Sequence, residues 1–72
     1  MEQFVFRTYG KSELALLYNP YITPKAACKK LNLWISLQPR LVVSLREAGL
    51  TTLSRSYTPA QVRLIVDAIG EP

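Results

Sequence analysis

Few side chains in this chain could do chemistry, and those that could are basic. Lys25 and Lys29 stand four residues apart, Lys30 follows at once, and Asn32 comes two positions later. On a helix, positions 25, 29, 32 and 36 share one face, so Lys25, Lys29, Asn32 and Ser36 make a polar line opposite the apolar positions Ala27, Leu31, Trp34 and Ile35. Lysines at that spacing suit phosphate contacts, which set register and affinity, and an asparagine amide can bond a base edge. Arg55, in a later segment rich in hydroxyl and β-branched residues, can reach phosphate or an adjacent minor groove.

Charge balance agrees with that chemistry. Nine Lys and Arg against five Asp and Glu give a formal net charge of +4, a balance that favours acidic partners such as nucleic acid. A solvated helix face would look much the same.

Catalytic sets are missing. The acids Glu2, Glu13, Glu47, Asp67 and Glu71 are scattered singly, and without histidine the serines have no evident base. Glycines occur only at positions 10, 49 and 70, each at an element boundary, so no phosphate-cradling loop can form. The lone Cys28 excludes an internal disulfide and reads as a small core residue, and the absence of histidine removes Cys/His zinc sites. The expectation is a protein that is not an enzyme and carries no cofactor or metal.

The elements that must position the basic residues show a pattern written twice. Arg7-Thr8-Tyr9 and Arg55-Ser56-Tyr57 each precede an amphipathic helix, at an offset of 48 positions. Gln3 to Tyr9 alternates and reads as a strand; Ser12 to Tyr18 then places Leu14, Leu17 and Tyr18 on one stripe, with Glu13 able to close back on the Gly10 amide. Asn19-Pro20 ends that helix, and Thr23 with Pro24 restarts one that runs to about Leu37.

Pro39 opens a third helix with the stripe Leu41, Val42, Leu45 and Ala48, closed by Gly49 in a left-handed conformation. Leu50 to Tyr57 is expected to extend beside the first strand, where Tyr9 and Tyr57 would form a cross-strand or core pair. Thr58-Pro59-Ala60-Gln61 is a capping box that starts a last helix burying Val62, Ile65, Val66 and Ile69, with Arg63 and Asp67 available as a surface pair. At 72 residues this makes one domain. No apolar run approaches the roughly 20 residues of a membrane span, and the N-terminus lacks a signal-peptide pattern, so the expected location is cytoplasmic.

Two resemblances follow. Tyr9-Gly10-Lys11-Ser12-Glu13-Leu14-Ala15, Leu33-Trp34-Ile35 and Tyr57-Thr58-Pro59-Ala60-Gln61-Val62, closing in Gly70-Glu71-Pro72, look like an uncharacterised family of short proteins from gut anaerobes that carries a domain-of-unknown-function label. More distantly, Ser12-Glu13-Leu14-Ala15, Trp34-Ile35 and Arg55-Ser56-Tyr57-Thr58 resemble the MerR and excisionase type of winged helix-turn-helix domain. That second likeness implies a recognition helix over Pro24 to Leu37 and a wing carrying Arg55. The chain departs from the type in its longer break, Tyr18 to Thr23, and in an additional helix, Pro39 to Ala48.

Together these readings give a mainly α domain with a small two-stranded β element, of winged helix-turn-helix-like architecture. The leading function is binding of duplex DNA through Lys25, Lys29, Lys30, Asn32 and Arg55. The alternative is a protein-interaction module or homodimer, because Leu33, Leu37 and Val43 fall off the main apolar stripes.

Overall fold

Every helix begins at a chemically marked residue. In the computed structural model, which describes residues 4–72, the Thr23 hydroxyl accepts from the Ala26 amide at 3.2 Å, and Pro24 opens the helix behind it. Thr58 and Gln61 cap reciprocally, with the Gln61 amide donating to Thr58 Oγ1 at 3.3 Å and the Thr58 amide to Gln61 Oε1 at 3.0 Å. Gly10 has no side chain to give, so only half of that device exists at the first helix: its amide donates to Glu13 Oε1 at 3.1 Å.

These starts set the element order β1 (Tyr9–Gly10), α1 (Lys11–Tyr18), α2 (Pro24–Ser36), α3 (Pro39–Glu47), β2 (Ser56–Tyr57) and α4 (Pro59–Ile69). Among the described residues, four helices with a small two-stranded sheet confirm the mainly α class expected from the sequence. The strands pair antiparallel with Tyr9 opposite Tyr57 and Gly10 opposite Ser56, and both tyrosines are buried. Around them lie Leu14 and Ala15 of α1, Ala27, Leu31 and Ile35 of α2, Leu41 and Leu45 of α3, and Val62, Ile65 and Val66 of α4. Trp34 is half-buried against this core, with its ring edge-on to Tyr18 at 6.1 Å between centroids.

Both expected strands contract to two residues. Within the expected first strand, Gln3 lies outside the described residues, and from Phe4 to Thr8 the chain folds back on itself. The Phe4 ring stacks on Tyr9 at 5.5 Å, and the Tyr9 hydroxyl donates to the Val5 carbonyl at 2.7 Å, so aromatic contacts take the place of a ladder. Over Leu50 to Arg55 the hydroxyl groups capture the backbone locally. The Leu53 amide donates to Thr51 Oγ1 at 3.2 Å and the Thr51 amide to Ser54 Oγ at 3.1 Å, which makes a turn where an extended segment was expected.

Three side chains also depart from their expected places. Leu17 is 45% exposed, because the buried arc of α1 is centred on Leu14 and Ala15 and Leu17 falls beyond its edge. Ala48 is exposed at the end of α3. Arg63 lays its guanidinium over the Phe6 ring at 4.4 Å, and among the described residues the one ion pair is Arg7 with Glu13, not Arg63 with Asp67.

Candidate nucleic-acid interface

The outward face of α2 is built as its spacing requires. Lys25, Lys29, Asn32 and Ser36 are all exposed on the side opposite Ala27, Leu31 and Ile35, and the 13 residues of α2 contain no acid. Lys30 is exposed too, but one residue of helix turns it by about 100° from Lys29, towards the flank that carries Leu33 and Leu37.

Asn32 stands at the edge of an open cleft of about 490 Å³ between α2, α3, the start of α1 and the turn after α3. Ile35, Val42, Leu45 and Leu50 make its apolar floor, and Lys11, Asn32, Arg46, Thr51 and Thr52 supply the polar rim. Its floor depends on Gly49, whose φ of +94° lets the chain reverse after α3. The Leu50 amide then donates to the Leu45 carbonyl at 3.0 Å and the Gly49 amide to the Arg46 carbonyl at 3.0 Å, a Schellman closure that sets Leu50 beside Leu45.

Lys11 is placed by the sheet. Its amide donates to the Arg55 carbonyl at 3.1 Å, continuing the antiparallel register one residue past Gly10 and Ser56. The register therefore brings Arg55 beside Lys11, whereas Arg7, its counterpart in the repeated pattern, is engaged elsewhere. Arg7 donates to Glu13 Oε2 at 2.7 Å and to the Thr8 carbonyl at 2.7 Å, and its guanidinium lies 3.8 Å from the centre of the Tyr9 ring.

Electrostatics of the region follow from where the acids are. None lines the cleft among the described residues. Glu13 is occupied by Arg7, whose hydrogen bond together with that from the Gly10 amide holds its carboxyl below the ordinary value of 4.5. The same contact raises the Arg7 pKa. Tyr57, buried beneath Lys11, has its phenol pushed up to about 12 by burial.

Of the residues expected from sequence, the structure brings together Lys25, Lys29 and Asn32 on one face, and Asn32 alone enters the cleft. Arg55 is exposed and adjoins the cleft only through its carbonyl bond to Lys11. Lys11 and Arg46 escaped the sequence reading. Lys11 was legible in principle, since pairing Tyr9 with Tyr57 in an antiparallel sense sets Lys11 opposite Arg55.

The architecture defines a small helical domain with a two-residue strand pair and a basic cleft at one side. By sequence the chain belongs to the family described as Domain of unknown function (DUF4248), whose model matches residues 5–72. No curated protein and no solved structure matches it.

Proposed function

We propose that this domain binds duplex DNA as an accessory or regulatory protein, holding the sugar–phosphate backbone with α2 and the cleft beside it. One observation carries the reading: the Lys25, Lys29, Asn32 line of α2 runs into a cleft rimmed by Lys11 and Arg46, with no acid among its lining residues. Lys25, Lys29, Lys11 and Arg46 serve as phosphate contacts, Arg55 adds one from the segment next to Lys11, and Lys30 supports from the flank. Asn32 offers the amide that can bond an adenine edge. Phosphate contacts of this kind release counterions, so binding weakens with salt with a log–log slope near −0.9 per phosphate neutralised.

Fluorescence anisotropy of a labelled duplex titrated with the protein at low and at physiological salt tests the proposal. Binding that falls steeply with salt, and that is lost in a folded Lys25→Glu/Lys29→Glu variant, is the expected result. No binding at low salt, or unchanged affinity in that variant, overturns it.

A further inference from the structure

The outward face of α3 points away from the cleft and shares no lining residue with it. Arg40, Val43 and Glu47 occupy its crest, flanked by Pro39 and Ser44. Val43 is 50% exposed, and Leu37, 69% exposed, extends the apolar surface across Pro39 from the end of α2. An isolated monomer gains nothing by holding these side chains in water. Among the described residues neither Arg40 nor Glu47 is in an ion pair, although Asp67 lines the neighbouring groove with Arg40.

We infer that this face pairs with a second copy of the same chain, α3 against α3 in antiparallel sense. The charge order identifies the occupant. Arg40 and Glu47 are seven residues, or about 10 Å, apart along the helix, with Val43 and Ser44 midway. A two-fold axis passing between Val43 and Ser44 sets Arg40 of each copy opposite Glu47 of the other and brings the two valines together at the centre. A two-fold contact requires a surface that complements itself, and the charge order of this one does so. Elsewhere the net charge of +4 makes copies repel, whereas this face carries one charge of each sign. Glu47 also disfavours a nucleic-acid occupant. No residue that lines the cleft belongs to the paired face.

Sedimentation velocity without nucleic acid, from about 10 µM to about 1 mM, reads the association. Arg40→Glu and Glu47→Arg replace exposed side chains, and circular dichroism checks that each variant is folded. Each reversal sets two like-charge pairs across the axis, so each variant is expected to associate at least about tenfold more weakly than the native chain. Net charge alone predicts otherwise, because R40E lowers it from +4 to +2 and would strengthen association while E47R raises it to +6. Mixing the two variants restores both opposite-charge pairs, and a mixed dimer close to native affinity is expected. A native chain that stays monomeric to about 1 mM overturns the proposal. So does a dimer insensitive to either reversal, or a mixture that fails to recover.

Discussion

Gln61 binds the end of one helix to the start of another: its Nε2 donates to the Ala48 carbonyl at 2.9 Å while its Oε1 accepts from the Thr58 amide at 3.0 Å. Only 3% exposed, it is the one buried polar side chain among the described residues, and it uses both ends of its amide. Replacing it with alanine leaves the Ala48 carbonyl and the Thr58 amide without these partners and opens a gap between α3 and α4. Gln61→Ala is expected to cost about 2 kcal/mol, the scale of losing a buried hydrogen-bonded group. Urea denaturation measures it, and a cost below about 0.5 kcal/mol would mean that water replaces the amide freely.

Gly49 sets a second stability test. A side chain there meets no neighbour within 4 Å, so Gly49→Ala isolates the backbone cost of φ +94° from any clash. The expected loss is about 1–2 kcal/mol, the penalty of a left-handed conformation for an L-residue. Because Leu50 leaves the cleft floor if the closure opens, the variant should also weaken DNA binding, which thermal melts and anisotropy together resolve.

Acid and alkali act on different contacts. Glu13 has a folded pKa below its ordinary 4.5, so its contribution is present above that value and fades as pH falls through the lower folded value. Glu13→Gln should lower stability slightly at neutral pH and leave it unchanged in strong acid, which flattens the acid limb of a stability–pH profile. Tyr57 shows the opposite sign. Its phenol titrates near 10 when unfolded and near 12 when folded, so its contribution is full below 10 and is lost as pH rises from 10 to 12. Tyrosinate absorbance followed against unfolding should show the fold giving way across that interval.

Within the proposed DNA interface, position ranks the cations. Arg46→Ala or Lys11→Ala should each lower the slope of log affinity on log salt by about 1, as one phosphate contact is lost. Lys30→Ala, on the flank of α2, should lower it less. Equal effects from Lys30 and Arg46 would move the contact surface off the cleft.

The helices were legible because their boundaries are written chemically. Thr23-Pro24, Thr58-Pro59 with Gln61, and Gly49 each solve a hydrogen-bonding problem at a helix end, and the structure uses each in the expected place. Strands were read less well. Alternation from Gln3 to Tyr9 signals an extended segment, but nothing in it reveals that Phe4 returns to stack on Tyr9. Likewise Thr51 and Ser54 carry β propensity and local hydrogen-bonding capacity at once, and the second prevails. In the candidate site, the α2 face followed from periodicity. Arg46 did not, because its place on the cleft depends on how α3 lies against α2, which is a matter of tertiary packing.

The pairing of Tyr9 with Tyr57 also imposes an order on the birth of the domain. Of the twelve buried apolar side chains among the described residues, four, Tyr57, Val62, Ile65 and Val66, follow Leu50. A nascent chain that has reached Leu50 thus holds the sequence of three helices around a core missing a third of its members, with Tyr9 still lacking its partner. Closure must await the last helix, and until then the basic face of α2 is carried by a chain that has not yet settled into its fold.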